Sequence, residues 1–265
     1  MNSLRWSYII PLLVALPSVT WSNHEDPAVA KHEAGVEALK NSKFDIAIAQ
    51  FTGAIKLDPR RVDSYLGRSR AYYAKNEFDK AIADCDQAIS IDPQNADGYY
   101  YRGRANQFLD VPGRAFQDYC MAIHFNPKHA LAYANRGYLN HTVRKEYEIA
   151  KKDYEESLRL DPKIANTRNN LAWLLATCPS EKLRDGKKAV EDATKACEMD
   201  QWKSVIFIDT LAAAYAEIGD FKEAVKWQKK ALEKPEDFAA TGDKDAEMAR
   251  KRLKLFEEGK PFRTD

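Results

Sequence analysis

Net charge is almost absent from this 265-residue sequence, because its 41 lysines and arginines nearly balance its 40 aspartates and glutamates. Domains that bind nucleic acid through their overall charge have an excess of basic residues, gathered on one face or along one helix. We therefore expect no nucleic-acid partner, and we expect any recognition to depend on local groups.

The sequence also lacks the short motifs of common catalytic sites. It contains no GxxxxGK[ST] phosphate loop, no GxGxxG turn after a strand, no HExxH zinc motif and no CxxC pair. Its histidines neither recur four residues apart nor cluster with carboxylates as metal ligands do. They are His24, His32, His124, His129 and His141. We expect a protein that is not an enzyme, without catalytic residues, a metal site or a cofactor.

Long apolar runs are missing except near the N-terminus, where residues 6–21 are mostly apolar and follow the positive charge of Arg5. This stretch is shorter than the ~20 residues that span a bilayer, and Pro11 and Pro17 interrupt it. We therefore prefer a cleaved signal peptide, residues 1–22, to an uncleaved N-terminal membrane anchor. The expected protein is exported, periplasmic or secreted, and has no membrane span after cleavage.

Only four cysteines are present, at Cys85, Cys120, Cys178 and Cys197. Export would permit disulfides. However, Cys85 and Cys120 fall in predicted helices, where a small buried side chain is the usual role of cysteine. A helix of about ten residues separates Cys178 from Cys197, and its ~15 Å length is too great for a disulfide. We expect free thiols.

A period close to 34 residues runs through the chain. An acid or amide followed by proline occurs at Asp58-Pro59, Asp92-Pro93, Asn126-Pro127 and Asp161-Pro162, with spacings of 34, 34 and 35 residues. Alanine recurs with the same rhythm at Ala47, Ala81, Ala115, Ala150, Ala189 and Ala224. It recurs seven residues later at Ala54, Ala88, Ala122, Ala196 and Ala231, with Ser157 at the equivalent position of one repeat. Fixed self-similarity of this length predicts a stack of helix pairs.

These positions match the tetratricopeptide-repeat (TPR) pattern, and the sequence resembles that family from residue 28 to about residue 237. The resemblance implies an all-α, right-handed solenoid (an α-α superhelix) of about six helix-turn-helix repeats, which must stack because one pair cannot bury its apolar face. The predicted repeats are 28–61, 62–95, 96–129, 130–164, 165–203 and 204–237. The fifth is irregular, because its loop is five residues longer and its closing proline is missing.

The C-terminal region is expected to seal the last repeat. Residues 243–258 place apolar side chains on one helical face, which predicts a C-terminal capping helix. Residues 262–265 are expected to form a loose tail. Segments 184–190, 209–215 and 259–263 look similar to a bacterial subgroup of exported TPR proteins of undefined role.

The resemblance also implies where a partner would bind, since the first helices of TPR repeats line a concave face. The inner-face positions hold Tyr, Trp, Arg and Asn, which anchor interfaces and hydrogen-bond extended peptides. The candidate groove residues are Arg70, Tyr73, Tyr100, Tyr101, Arg104, Asn135, Tyr138, Asn169, Asn170 and Trp173. For Tyr100, Tyr138 and Trp173, packing in the core is an equally good interpretation.

Two sets of arginines receive different interpretations. Arg70 and Arg104 lie one repeat apart and would form a positive pair suited to a carboxylate. A second series is predicted to be structural, because each arginine faces an aspartate on the second helix of its own repeat. The series pairs Arg68 with Asp84, Arg102 with Asp118, and Arg136 with Asp153.

The predicted function is a non-enzymatic scaffold or adaptor that binds a peptide or protein segment in the concave groove, outside the cytoplasm. The alternative is a self-associating structural component of an extracytoplasmic assembly. The clamp by which some TPR proteins hold chaperone C-termini is not matched, because His32, Val36 and Gly67 replace its Lys and Asn residues.

Overall fold

A computed structural model describes residues 26–233 and 246–264, and their regular structure is entirely helical. The α-helices are α1 (Pro27–Lys40), α2 (Phe44–Leu57), α3 (Val62–Ala74), α4 (Phe78–Ile91), α5 (Ala96–Phe108), α6 (Pro112–Phe125), α7 (Ala130–Thr142), α8 (Tyr147–Leu160), α9 (Ala165–Thr177), α10 (Gly186–Met199), α11 (Val205–Glu217), α12 (Phe221–Ala231) and α13 (Ala246–Glu257). A single 3₁₀ turn, Glu181–Leu183, lies in the long loop before α10. The predicted all-α solenoid of helix-turn-helix repeats is confirmed.

The first twelve helices form six consecutive pairs. Each helix packs against the next helix along the chain. The first helices of neighbouring pairs also contact each other, for example α1 with α3 and α9 with α11. The odd-numbered helices therefore form one inner row, and the even-numbered helices lie outside it. This arrangement gives the inner row the concave face of the solenoid.

The recurring alanines are the contact points of the stack. All eleven of them, and Ser157, are fully buried. Large rings fill the space beside them, and Phe51, Tyr119 and Tyr154 are fully buried as well. Small inner-helix residues admit these rings, since a Cβ at Gly103 would lie only 2.9 Å from the Tyr119 ring.

The arginine–aspartate series is confirmed as structural. Each arginine donates to its predicted aspartate with a shortest N–O distance of 2.7 Å. Each arginine also contacts the second helix of the preceding repeat. Arg102 donates to Asp86 at 2.6 Å, and Arg68 donates to Thr52 at 2.9 Å. One guanidinium therefore holds three helices, which links neighbouring repeats as well as the two helices of one repeat.

The C-terminal end differs from the prediction. Helix α13 is fixed by the buried Arg252, which pairs with Asp209 of α11 at 2.9 Å. The expectation of a loose tail after residue 261 is wrong for residues 262–264. The Phe262 ring packs on Trp173, with their centroids 5.8 Å apart, and Thr264 donates its backbone N–H to the Thr177 carbonyl at 3.0 Å. The tail therefore docks on α9, at the end of the inner row.

Several expectations fall on other parts of the chain. The predicted signal peptide, the end of the sixth repeat and residues 243–245 of the predicted capping helix lie outside the described residues. Within residues 26–233 and 246–264, no helix combines the length and apolar character needed to cross a bilayer. All four cysteines are free thiols, with Cys120 half-buried and the other three buried.

Candidate binding groove

Four adjoining cavities follow the inner row of helices. The first, of about 170 Å³, lies between α1, α3 and α5, and it shares Arg70 and Tyr101 with a second of about 230 Å³. The second shares Arg104 with a third of about 580 Å³ between α5, α7, α9 and α11. The third shares Tyr138 and Asn169 with a fourth of about 420 Å³, which is lined in part by Arg252 of α13 and Thr264 of the tail. Shared walls make these cavities one continuous groove.

The structure places every predicted candidate residue on a wall of this groove. Arg70, Tyr73, Tyr101 and Arg104 line its first half, and Tyr100, Asn135, Tyr138, Asn169, Asn170 and Trp173 line its second half. They come from α3, α5, α7 and α9, one inner helix of each repeat from the second to the fifth. Equivalent inner-helix positions of successive repeats therefore form the groove walls.

Arginines and tyrosines alternate across the first half. The Arg104 guanidinium carbon lies 4.3 Å from the Tyr73 ring centroid and 5.9 Å from that of Tyr100. The Arg70 guanidinium lies 5.7 Å from the Tyr101 ring. Burial raises the pKa of the Tyr73 and Tyr101 hydroxyls, so both are neutral hydrogen-bond donors at neutral pH.

Tyr100, Tyr138 and Trp173, for which the sequence allowed either core packing or groove exposure, differ in their positions. Tyr100 is only 5% exposed, and burial raises the pKa of its hydroxyl to about 12. It is therefore mainly a core residue that supports the groove floor. Tyr138 is 40% exposed and faces the groove as a free aromatic surface. Trp173 has both roles, because its ring packs against Phe262 of the tail and also lines the fourth cavity.

Asparagines supply the polar wall of the second half. Asn135 donates to the Tyr119 hydroxyl at 3.4 Å, which orients its amide. Asn169 is buried, and its Oδ1 has no hydrogen-bond partner among the described residues. A buried acceptor without a partner is uncommon in folded proteins. A ligand N–H placed in the groove would satisfy it.

His141, another inner-face residue, lies in the wall of the fourth cavity. Burial, and secondarily the nearby charge of Lys145, lowers its pKa from 6.5 to about 4. The imidazole lies 3.5 Å from the Tyr154 hydroxyl. It is therefore neutral at physiological pH and contributes shape and hydrogen bonding rather than charge.

Several residues in or beside the groove were not predicted from the sequence. Phe108, at the end of α5, is 63% exposed and stacks on Phe78 with their centroids 5.0 Å apart. Its position at the end of an inner helix, in a chain whose inner stripe is aromatic, could have indicated it. Arg252 and Thr264 also line the fourth cavity, and no local pattern places either of them there.

Metal-ligating side chains do not gather in the groove or elsewhere in residues 26–233 and 246–264. Across these residues, no group of three or more His, Cys, Asp or Glu side chains is arranged to coordinate a metal ion.

Comparison with known proteins agrees with the fold. Family models described as Tetratricopeptide repeat match residues 32–96 and residues 208–234. No curated protein matches this sequence.

Similar solved structures are repeat proteins. PilW, described as a widely conserved type IV pilus biogenesis factor, has a TM-score of 0.64 and 19% identity, over 77% of this chain and 91% of that one. MamA has a TM-score of 0.51 and 25% identity, over 64% and 95% of the two chains. A thermophilic TPR protein of Thermus thermophilus, TTC0263, has a TM-score of 0.56 and 19% identity, over 71% and 98%. The 34-residue period, the stacked helix pairs and the two family-model matches together show tetratricopeptide repeats in this chain.

Proposed function

We propose that this protein is a non-enzymatic scaffold whose concave groove binds a peptide or protein segment of a partner outside the cytoplasm. Solenoids of stacked repeats commonly use their extended concave surfaces for binding. The observation that carries the proposal is the convergence of the predicted Tyr, Trp, Arg and Asn side chains, from four successive inner helices, on one continuous groove.

The mechanism is preorganised complementarity. The groove walls are fixed by the arginine–aspartate ties and the fully buried alanine contacts behind them. A partner segment therefore meets side chains that are already held in place, which reduces the entropy lost on binding. Exposed Tyr138 offers an anchor, and the asparagine amides offer hydrogen bonds to a peptide backbone.

The extracytoplasmic location is supported by the N-terminal sequence, in which Arg5 precedes the apolar residues 6–21. Fractionation of the native host, with N-terminal sequencing of the recovered protein, tests it. A mature protein that begins near residue 23 outside the cytoplasm is expected. Full-length protein in the cytoplasm would contradict this part of the proposal.

The groove itself is tested by site-specific photocrosslinking in the host. A photoreactive amino acid replaces Tyr138 in the groove or, as a control, Ile149, which is 47% exposed on the outer helix α8. We expect a discrete crosslinked partner from position 138 and none of that mass from position 149. The same partner captured only from position 149 would overturn the groove proposal.

Self-association remains the alternative, and the terminal helix bears on it. An exposed apolar stripe on that helix would favour assembly through the ends. Instead, Ala249 and Phe256 of α13 are buried against the last repeats. The covered stripe favours the adaptor. Crosslinks only between copies of this chain would favour the alternative.

A further inference from the structure

Two arginines in the groove have no acidic partner among the described residues. Arg68, Arg102, Arg136, Arg168 and Arg252 each lie within 2.7–2.9 Å of an aspartate oxygen. Within the described part of the chain, no carboxylate oxygen lies within 4.0 Å of Arg70 or Arg104.

Asp97, the acidic residue whose charge interacts with Arg70, already has His129 as its closer partner. Asp97 lies 3.2 Å from His129, and that hydrogen bond is the main cause of the lowered Asp97 pKa, with Arg70 a smaller one. Two guanidinium groups without a carboxylate in one cavity are suited to an external one.

Aromatic rings hold the two guanidinium groups in place. Arg104 lies over Tyr73, and Arg70 lies over Tyr101. A guanidinium stacked on a ring keeps N–H donors at its edge, where a carboxylate can accept them. Both arginines line the 230 Å³ cavity, whose other walls are Leu39, Ser69, Tyr73, Ala74 and Tyr101, with no acidic residue among them.

An exposed aromatic surface adjoins these cations. The Phe108 ring meets the Tyr73 ring edge-on, with their centroids 5.4 Å apart, and stacks on Phe78. Tyr73 therefore contacts both Arg104 and the exposed Phe108. An exposed aromatic group beside a binding cavity is a typical anchor point for an apolar partner side chain.

The cavity is open along the groove in both directions. Arg70 also lines the 170 Å³ cavity, and Arg104 also lines the 580 Å³ cavity. A bound chain can thus continue past the arginines on either side, so the groove accommodates a carboxylate on a side chain within the segment. Asp63 and Asp97 line the 170 Å³ cavity and would repel a second acid there.

We propose that the partner segment carries an internal aspartate or glutamate, which binds between Arg70 and Arg104 with a neighbouring apolar side chain on Phe108. This inference rests on the proposed groove-binding function and names the chemistry of the partner. A groove that reads one acid beside one apolar residue selects a short acidic–apolar sequence and discriminates against basic segments.

The test is selection of peptides from an array of random 12-residue sequences by the purified protein without its predicted signal peptide, followed by affinity measurement on single peptides. Wild type is compared with Arg70→Ala/Arg104→Ala, with Phe108→Ala, and with a control, Arg60→Ala/Arg114→Ala. The control removes the same charge from two exposed arginines that line none of the four groove cavities.

We expect wild type to enrich peptides with Asp or Glu near Phe, Leu, Trp or Met. Affinity for a selected peptide should fall about 10-fold or more in Arg70→Ala/Arg104→Ala and stay within about twofold in the control. Phe108→Ala should keep the acidic preference and lose the apolar one. Replacing the peptide acid with its amide should reproduce the loss.

Three results would count against the inference, and each bears differently on the groove. Peptides selected without an acid, whose binding still depends on Asn135 and Asn170, would remove the acidic preference but leave groove binding intact. Peptide binding that survives substitution of both the arginines and the asparagines would contradict groove binding as well. Failure to select any peptide would count against this inference, while photocrosslinking at position 138 would still decide the broader function.

Discussion

At the scale of single residues, the turns between paired helices place a recurring demand on the backbone. A residue with φ near +56° to +80° occurs in five of the six turns, at Ser42, Asn76, Asp110, Lys145 and Gly219. Residues with a Cβ reach this left-handed region at a cost of ~1 kcal/mol or more, and only one of the five is glycine.

Substitution at these turns should therefore change stability in opposite directions. Ser42→Gly is expected to raise the free energy of unfolding by about 0.5 kcal/mol, because relief of strain exceeds the added freedom of the unfolded chain. Gly219→Ala should lower it by about 1 kcal/mol. A Cβ at Gly219 would meet no atom within 4 Å, so the cost there comes from the backbone alone. Urea unfolding followed by circular dichroism measures both. Equal shifts in one direction would contradict this account.

His141 should give the protein a pH dependence of stability. Its pKa falls from 6.5 to about 4 on folding. Between these two pH values the imidazole is therefore protonated in the unfolded state and neutral in the folded state. The free energy of unfolding is therefore unaffected by His141 above pH 6.5. It decreases as the pH falls towards 4, by at most about 3 kcal/mol.

The comparison of two variants isolates this contribution. His141→Phe keeps an aromatic ring against Tyr147 and Tyr154 but cannot titrate, so its stability should fall less than that of wild type between about pH 7 and pH 4.5. Tyr154→Phe removes the hydroxyl near His141 and keeps the imidazole, so it should retain the wild-type slope. Identical slopes in wild type and His141→Phe would show that His141 does not cause the dependence.

At the scale of the elements, α13 and the tail are held by contacts that span long distances in sequence. Arg252 and the Gln228 amide both donate to Asp209, and the Arg252 guanidinium lies 5.4 Å from the Trp173 ring centroid and 5.6 Å from that of Phe262. Removal of one partner from a buried ion pair leaves an uncompensated charge, which costs several kcal/mol.

Arg252→Met should therefore release α13 while the other repeats stay folded. The variant is expected to lose about 3 kcal/mol of local stability, seen as faster hydrogen exchange in residues 246–264 and around Trp173. Lys251→Met is the matched control, because Lys251 is exposed on the same helix and pairs with the exposed Glu247, at 3.1 Å. Unchanged exchange in Arg252→Met would mean that the ion pair does not hold the helix.

The same elements show what sequence patterns can predict. The alanine period predicted the paired helices, because each alanine contacts neighbouring elements, and the register of one repeat transfers to the next. The docking of Thr264 on Thr177 joins residues 87 apart, outside any repeat, so no local pattern encodes it. The candidate groove residues were predictable for the same reason as the helices. The exposure of Phe108 and the burial of Tyr100 were not, since both depend on how rings from different helices pack.

At the scale of the whole molecule, the groove is asymmetric. Its first cavities lie among α1, α3 and α5 with two cations that have no carboxylate partner in the described part of the chain, whereas its last cavity is lined in part by Thr264 and by Arg252, which pairs with Asp209. The side chains along the groove could be predicted from the sequence, whereas the docking of the tail at its end could not.

Binding in the concave groove is tested by the affinity of the partner captured by photocrosslinking, measured by calorimetry on wild type and on two paired variants. Asn135→Ala/Asn170→Ala changes the groove wall, and Ile46→Ala/Ile149→Ala changes two exposed positions on the outer helices α2 and α8. We expect the groove pair to weaken binding about 10-fold or more and the outer pair to leave it within about twofold. Loss of affinity in the outer pair, with full affinity in the groove pair, would contradict the claim that this protein binds its partner in the concave groove.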